Sequence, residues 1–268
     1  MAGSHEVANA ARATADAAPI TVSIVNHGHA RWVQPLVPQV LACPEIAHLI
    51  LTRNIAEPID LPSDSRLSIV DNTVAKGFGA NHNAAFRACR TPYFCVLNPD
   101  VWWTDDPFSG LLSCLEATRA AVAEPLVIGP DGHSADSIRR FPTILSLLRK
   151  AVGGDDGRYH TTFGASCFQA DWVAGMCMLF KSGDFAAVGG FDEAFFLYYE
   201  DVDICARLWD GGRSVAVCPK SLVTHSAQRA SRNHAVHMRR HLVSMVLYLW
   251  KHRGRRPRCS SSPPRRAV

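Results

Sequence analysis

The sequence predicts an α/β fold built on a doubly wound, mostly parallel sheet. Four short apolar runs carry this prediction: ITVSIV (20–25), IAHLILT (46–52), LSIVD (67–71) and YFCVL (93–97). Continuous apolar runs of this length are typical of parallel strands that are buried on both faces. Helical segments separate them, at about 31–42, where two prolines obscure the start, and after the glycine-containing turn at Gly77.

The rest of the chain predicts further strands and helices. A helix at 106–117 begins at an acid followed by proline, residues that favour a helix start. Residues 130–170 are polar and glycine-rich without a clear period, which predicts a long loop or lid. Beyond this loop we predict strands at 172–181, 213–218 and 222–225, and helices at 200–210 and 234–252.

Composition divides the 268 residues into three parts. We predict a flexible Ala-rich leader at 1–18, an α/β domain at 19–232, and a C-terminal amphipathic helix with a basic tail at 233–268. The tail is rich in Arg and Lys and contains no acid, whereas the net charge of the chain is only +4. The body is therefore slightly acidic, so we do not expect nucleic acid as a partner.

The cysteine pattern and the lengths of the apolar segments indicate where in the cell the protein is located. Nine cysteines are scattered singly, without a CxxC pair, and most lie in apolar runs where a thiol packs as a small hydrophobe. This pattern predicts a reducing, cytoplasmic location. No apolar window is long enough for a membrane-spanning helix, and the first twenty residues lack the pattern of a secretory signal.

Polar residues stand directly after the ends of the predicted strands. The segments concerned are Asn26–His29, Asn54, Asn72–Asn83 and Asn98–Asp100. In a doubly wound sheet, ligands bind beyond the carboxyl ends of the strands, so a polar ligand should lie among these loops. Asp100 at the end of such a strand could bind a divalent ion that bridges phosphates. A turn or helix-capping aspartate explains the same residue.

The segment NTVAKGFGANHN (72–83) combines glycines with the start of a helix. Gly77 and Gly79 permit close backbone approach, and the helix start offers unpaired N–H groups to an anion. The segment matches neither the P-loop nor the dinucleotide fingerprint. A phosphate cradle and an ordinary turn therefore both remain open.

Three acids stand behind an apolar and aromatic run in FLYYEDVDICAR (196–207). Asp203 and Arg207 are four residues apart on a helix and should form an ion pair. Asp201 should face inward, where burial raises the pKa of a carboxyl group and suits it to act as a general base. A capping role for Asp201 is the alternative. Taken singly, His225, at the end of a strand, and Trp172 are each better explained by a structural role, although a ligand role for His225 and a stacking platform for Trp172 remain open.

Taken together, the motifs resemble those of family-2 glycosyltransferases, in particular the rhamnosyltransferase branch that builds bacterial surface polysaccharides such as O-antigen. The motifs are NPD, W-x-AG-x-x-ML, GGFDE-x-FF-x-Y-x-ED-x-D-x-C-x-R and a terminal V-x-H, within about 20–230. The resemblance implies a Rossmann-like GT-A fold with a helical C-terminal extension. It also implies an inverting, metal-dependent hexosyltransferase that uses Mg²⁺ or Mn²⁺. The donor would be a dTDP- or UDP-sugar, with rhamnose as one candidate sugar, and the acceptor a glycan or a lipid-linked glycan.

The resemblance also assigns roles to individual residues. Asp201 matches the catalytic base, Asp100 a metal-binding aspartate, and His225 a residue that completes the metal site. Trp172 and Glu200 fall on the acceptor side. The residues expected near the nucleotide donor are Asn26, Asn54, Asp71, Asn72, Gly77, Phe78 and Asn98.

The sequence departs from the family pattern at two strand ends. Relatives usually have T-Y-N after the first strand, where this chain has Asn26–His29. They usually have V-D-N after the second, where this chain has Thr52-Arg53-Asn54. The aspartate that contacts the nucleotide base is therefore replaced, and Asp71 is a candidate substitute acid.

Two other functions fit some of these features. A glycoside hydrolase also needs a pair of carboxyl groups, and a non-catalytic relative could bind sugar nucleotides without transferring the sugar. The C-terminal segment offers a further partner. HLVSMVLYLW followed by KHRGRRPR could lie on the inner face of an anionic membrane, which would make the protein peripheral. The alternatives are a helix packed on the domain and a dimer contact.

Overall fold

The protein is represented by a computed structural model that describes residues 19–154, 156–226, 234–253 and 257. The predicted leader at 1–18 and nearly all of the basic tail lie outside the described residues. The α/β prediction with a C-terminal helix is confirmed.

The strands account for most of the predicted apolar runs. They are β1 (Ile20–His27), β2 (Ile46–Ile55), β3 (Leu67–Asp71), β4 (Tyr93–Leu97), β5 (Val101–Trp102), β6 (Val122–Ile128), β7 (Ile138–Arg139), β8 (Phe168–Ala170), β9 (Trp172–Val173), β10 (Cys177–Lys181) and β11 (Val215–His225).

The helices lie between the strands and at the C-terminal end of the described chain. They are α1 (Ala30–Leu41), α2 (Phe78–Phe86), α3 (Phe108–Thr118), α4 (Ile144–Ala151), α5 (Ser182–Ala187), α6 (Glu200–Asp210) and α7 (His234–Lys251). Among the described residues, no helix is both long and apolar enough to cross a bilayer.

In the described part of the chain, nine strands form the main sheet, in the order β3-β2-β1-β4-β10-β6-β11-β5, with β8 paired to β11. The first four are parallel, and β10 lies antiparallel between β4 and β6. β6 and β11 are parallel again. Strands β7 and β9 form a separate two-stranded sheet.

Alternating side chains of the central strands enter two different cores. Cys95 and Leu97 of β4 belong to one buried apolar cluster, whereas Phe94 and Val96 belong to another. Because successive side chains of a strand point to opposite faces, helices cover both faces of this sheet. That two-sided burial explains why the sequence shows continuous apolar runs.

Three predicted elements differ from the observed ones. The strand at 67–71 was expected to be buried but is the edge strand β3, with Ile69 and Val70 exposed. The segments 213–218 and 222–225 form one strand, β11, with an irregular register between Cys218 and Leu222. The strand expected at 172–181 is divided into β9 and β10.

The segment 130–170 contains more regular structure than a loop. It includes β7, helix α4 and β8. Helix α4 begins with a capping box, in which the Thr143 side chain accepts from the Ser146 backbone and the Ser146 side chain accepts from the Thr143 backbone.

Candidate active site

A cleft of about 1160 Å³ opens at the carboxyl ends of the parallel strands. Its walls come from the loops after β1, β2 and β4, from the start of α6, from α4, and from α7. This is the edge at which the sequence places a polar ligand. Seven of the predicted site residues line the cleft: Asn54, Phe78, Asn98, Asp100, Trp172, Glu200 and Asp201, and an eighth, His225, joins them.

Asp201 lies at the N-terminus of α6 with its carboxylate on the cleft. Its Oδ1 accepts a hydrogen bond from the Val202 backbone at 2.8 Å, and its Oδ2 accepts one from the Gly175 backbone at 3.0 Å. Burial raises the pKa of Asp201 above 3.8, and these two hydrogen bonds oppose that shift only in part. The carboxylate is therefore held in one orientation and is more basic than an exposed aspartate.

Glu200 is the neighbour of Asp201 and is almost completely buried, with 5% of its surface exposed. Its Oε2 has no hydrogen-bond partner among the residues that the structure describes. Burial, and secondarily the charge of Asp201, raises the pKa of Glu200 to about 8. The two adjacent carboxyl groups therefore oppose each other's ionisation, because a negative charge on one disfavours a negative charge on the other.

The turn that presents these acids has an unusual backbone. Tyr198 and Tyr199 have φ angles of +72° and +68°, in the left-handed region that bulky residues rarely occupy. The turn is held by the Phe78 backbone N–H, which donates to the Phe196 carbonyl at 3.0 Å. A Cβ at Gly77 would lie 2.7 Å from that carbonyl oxygen, so glycine is required there by the protein's own backbone. Strained turns of this kind cluster at functional sites.

Asp100 and His225 meet at the other side of the cleft. Strands β5 and β11 pair antiparallel, with His225 opposite Val101, and the His225 Nε2 lies 3.2 Å from an oxygen of Asp100. Both side chains are partly exposed, at 13% for Asp100 and 12% for His225. A carboxylate and an imidazole that touch and face a solvent-filled cleft are suitable ligands for Mn²⁺ or Mg²⁺, with phosphate oxygens and water completing the shell. The residues present therefore fit a divalent cation.

An asparagine network lies below the predicted donor side of the cleft. The Asn54 Oδ1 accepts from the Asn72 side chain and from the Lys76 backbone, both at 2.8 Å. Asn72 also donates to the Asn81 Oδ1 at 2.7 Å. This network fixes the loop that carries Gly77 and Phe78. Asn72 and Gly77 thus support the cleft wall from behind rather than line it.

Two other predicted donor residues lie away from the cleft lining. Asn26 is completely buried, and its amide donates to Glu57 at 2.6 Å while accepting from the His29 backbone. Asp71 is exposed at the edge strand, where it forms a two-pronged ion pair with Arg53 at 2.6 Å. Arg53, which stands where relatives usually have an aspartate, is thus paired with Asp71, the candidate substitute acid.

Trp172 lines the cleft, and its indole Nε1 donates to the Arg140 carbonyl at 3.0 Å. This bond fixes the ring at the cleft wall, where the arginines of β7 and the loop after it also lie. Neither Arg139 nor Arg140 was predicted from the sequence. They reach the site because β7 pairs with β9, and the local sequence pattern does not predict this pairing.

The C-terminal helix α7 also contributes to the cleft. His237, Arg240, His241 and Met245 are among the lining residues. The Tyr198 hydroxyl is 2.9 Å from the His237 Nδ1, and the Arg240 guanidinium lies 4.6 Å from the centre of the Phe196 ring. The sequence predicts the helix but gives no sign that it closes one side of the site.

Asp203 anchors this helix to α6. The predicted pair with Arg207 is present at 2.7 Å, and Lys251 and His252 each approach the other carboxylate oxygen at 2.8 Å. Asp203 is fully buried. Burial opposes ionisation, but His252, Arg207 and Lys251 outweigh it and hold the pKa of Asp203 at about 2. Asp203 is therefore a structural anion, distinct from Asp201.

The chain is similar to known proteins in sequence. The profile of glycosyl transferase family 2 matches residues 51–175. Rhamnosyltransferase WbbL of Escherichia coli (strain K12) is 27% identical over 249 residues, which are 87% of this chain and 94% of the relative. An N-acetylglucosaminyl-diphospho-decaprenol L-rhamnosyltransferase of Mycobacterium tuberculosis (strain H37Rv) is 32% identical over 164 residues, 58% of this chain. The matched region spans 53% of that relative.

Solved structures share the fold at low sequence identity. GalNAc-T7 with UDP, GalNAc and Mn²⁺ has a TM-score of 0.65 and 13% identity, over 88% of this chain and 48% of the other. The mannosyltransferase PcManGT of Pyrobaculum calidifontis, with GDP-Man and Mn²⁺, has a TM-score of 0.58 and 14% identity, over 92% of this chain and 66% of the other. The family resemblance seen in the motifs is confirmed. Residues 51–175 match glycosyl transferase family 2, and the chain has the GT-A fold of these structures.

Proposed function

We propose that the protein is an inverting glycosyltransferase that moves a sugar, with rhamnose as the first candidate, from a nucleoside-diphosphate donor to a glycan or lipid-linked acceptor in cell-surface polysaccharide synthesis. One observation carries this proposal. Asp201, a poised carboxylate, and the Asp100–His225 pair line the same cleft. A transferase of this kind needs a base for the acceptor and a site that stabilises the leaving diphosphate.

In the proposed reaction, Asp201 accepts the proton of the acceptor hydroxyl. The hydroxyl oxygen forms a bond to the anomeric carbon while the bond from that carbon to the diphosphate oxygen breaks, which inverts the configuration. The Gly175 and Val202 backbone N–H groups orient the carboxylate. Trp172, held by its bond to Arg140, supplies a flat apolar surface on which an acceptor sugar can stack.

Asp100 and His225 would hold the divalent cation, whose positive charge offsets the negative charge that develops on the diphosphate leaving group. Lys76, Arg139 and Arg140 are basic residues of the cleft lining, and Arg139 is paired there with Asp136. Asn54, Phe78 and Asn98 would contact the nucleotide side of the donor. The exposed Arg53–Asp71 pair lies beyond this wall and has no assigned contact with the donor.

A panel of nucleotide sugars tests the donor and metal assignments together. With Mn²⁺ or Mg²⁺, one dTDP- or UDP-sugar should raise the Tm of the protein and release its nucleoside diphosphate when a competent acceptor is present. Chelation, or the variant Asp100→Ala, should weaken donor binding by about tenfold or more, because each 1.4 kcal/mol of lost interaction is a factor of ten. Asp105→Ala, an exposed acid a few residues away, is the control.

Two results would contradict the proposal. Donor binding that is equally tight with and without divalent cation would exclude the Asp100–His225 site as a metal site. Sugar release from glycosides without any nucleotide product would favour the hydrolase alternative instead.

The residues around the mouth of the cleft favour an acceptor that is bound to a membrane. Helix α4 exposes Ile144, Leu145 and Leu148, each more than half exposed, and Arg149 and Lys150 on the same helix line the cleft. Helix α7 exposes a second apolar row, Val243, Val246 and Trp250. Lys150 is close enough to His241 to contribute, after burial, to lowering the pKa of that histidine, so the two helices lie near each other. Exposed apolar side chains beside basic ones are typical of helices that bind anionic bilayer surfaces.

The double variant Leu145→Glu with Leu148→Glu should reduce binding to vesicles that contain anionic phospholipid by about tenfold or more, since each buried leucine contributes about 1.5–3 kcal/mol. Co-sedimentation with vesicles measures the effect. The matched control is Ile69→Glu with Val70→Glu, which makes the same change at exposed apolar positions of the edge strand. If both double variants sediment like the parent protein, the membrane surface is not bound through α4.

A further inference from the structure

Three cysteines that are far apart in the sequence meet away from the cleft. Cys114 lies on α3, Cys167 precedes β8, and Cys218 lies on β11, and their sulfur atoms all lie within 4.8 Å of one another. None of the three lines the active-site cleft. Among the described residues, this is the one group of three or more His, Cys, Asp or Glu side chains arranged to hold a metal ion.

Local structure fixes the position of each thiol. The Cys114 Sγ points at the Val217 carbonyl at 3.6 Å, and the Cys218 Sγ lies 3.4 Å from the Gly110 carbonyl. A Cβ at Gly110 would lie 2.2 Å from the Ser221 Oγ, so the close approach of α3 to β11 requires glycine there. The helix and the strand are thus packed tightly around two of the three sulfur atoms.

The third thiol is attached through the loop before β8. The Gly164 backbone N–H donates to the Pro219 carbonyl at 2.9 Å, which ties this loop to the irregular part of β11 between Cys218 and Leu222. Cys167 is only partly buried, whereas Cys114 and Cys218 are buried. One side of the triangle of sulfur atoms is therefore accessible to an ion from solvent.

The geometry suits a cation that binds thiolates. A Zn–S bond is about 2.3 Å, so three sulfur atoms around a tetrahedral zinc are separated by about 3.8 Å. The upper limit of 4.8 Å on the observed separations is about 1 Å above that value. A fourth ligand is available from water on the Cys167 side or from the Ser221 hydroxyl, which lies 3.6 Å from the Cys218 Sγ.

One positive charge lies beside the cluster, because Lys220 is close enough to Cys167 to favour its thiolate. A metal ligand must be the thiolate, so a neighbouring cation supports the charged form of the ligand.

We propose that Cys114, Cys167 and Cys218 form a binding site for a thiophilic d¹⁰ cation, Zn²⁺ or Cu⁺, which fastens α3 and the 163–167 loop to strand β11. Soft sulfur ligands select these ions over Mg²⁺ and Mn²⁺, which prefer oxygen. The site is therefore separate in position and in chemistry from the Asp100–His225 pair. Its role is structural, because it joins three segments that are far apart in the chain.

The test titrates the reduced full-length protein with Zn²⁺ alone and, in a separate arm, with Cu⁺ held by a competing chelator. We expect at least one of these ions to bind with one equivalent per chain that depends on Cys167 and to raise Tm. Any binding of Mg²⁺ or Mn²⁺, which the Asp100–His225 pair would hold, should not depend on Cys167. Cd²⁺ used as a spectroscopic substitute should show the ultraviolet charge-transfer band of thiolate ligands. Cys167→Ser should weaken binding by at least about 100-fold, since even residues that only support a ligand change affinity 10–100-fold.

The control variant is Cys43→Ser, which removes a buried thiol outside the cluster and leaves a hydroxyl for its hydrogen bond to the Gln39 carbonyl. Cys167 is the substituted ligand because it is partly exposed, so its loss should leave the fold intact. The proposal is overturned if neither Zn²⁺ nor Cu⁺ binds stoichiometrically, or if Cys167→Ser binds as tightly as Cys43→Ser. Equal binding would place the ion elsewhere on the chain.

Discussion

Replacing Asp201 with asparagine should lower kcat for sugar transfer by about 10²–10⁴-fold, the usual contribution of a positioned general base. Asparagine has nearly the same shape, so helix α6 and its packing should persist, and the donor should bind with unchanged Kd. The loss arises because an amide cannot accept the proton of the acceptor hydroxyl. Steady-state transfer rates and donor titration, measured on the same preparation, separate the two effects.

The pH profile gives an independent check on the same residue. Because the pKa of Asp201 lies above 3.8 and the base must be ionised, transfer should decline at a higher pH than for an exposed aspartate as the solution is acidified. The titration of Glu200, with a pKa of about 8, should add a second inflection that disappears in Glu200→Gln. The control Asp105→Asn should keep the parent rate and profile. Full turnover by Asp201→Asn would remove Asp201 from the role of base.

Replacing Asp203 with alanine should destabilise the fold by about 3–5 kcal/mol, the range observed when one partner of a buried ion pair is removed. The variant leaves Arg207, Lys251 and His252 without their common anion. For a chain of this size, each kcal/mol corresponds to about 2–4 °C, so Tm should fall by on the order of 10 °C. Denaturant unfolding and thermal unfolding both measure the change.

The matched control is Asp184→Ala, which breaks the more exposed pair with Arg213. Exposed pairs contribute about 0–1 kcal/mol, so this variant should unfold close to the parent protein. The lowered pKa of Asp203 also determines how its contribution to stability depends on pH. Its contribution is fully present above the unfolded-state pKa of about 3.9 and is lost as the pH falls through about 2. Equal stability of the two variants would show that Asp203 does not anchor α7.

The sequence predicts strands β1, β2 and β4 well because burial on both faces leaves a continuous apolar run. Strand β6 was not predicted, since Glu124 and Pro125 interrupt its apolar residues, VAEPLVI. Glu124 is completely buried, and burial raises its pKa strongly. A pattern that treats every acid as exposed cannot find such a strand. Helix α4 was missed for the opposite reason, because its apolar residues face outward.

The residues of the candidate site also fall into those that the sequence predicted and those that it missed. Asp100, Trp172 and Asp201 were found because motifs with fixed spacing surround them. Arg139, Arg140 and the residues of α7 were missed, because they reach the cleft through contacts between distant segments. The cysteine cluster shows the same limit. Most cysteines were expected to pack as small apolar residues, and only the folded chain brings these three together.

The two left-handed tyrosines before Glu200 have a consequence for how this protein can change over generations. A residue in that backbone region costs on the order of 1–3 kcal/mol, and glycine at either position would relieve the cost. Selection for stability alone would favour such a replacement at Tyr198 or Tyr199. A glycine would also free the turn that aims Asp201 into the cleft. Variants recovered from a screen for heat resistance should therefore include substitutions in this turn, and those variants should be poor catalysts.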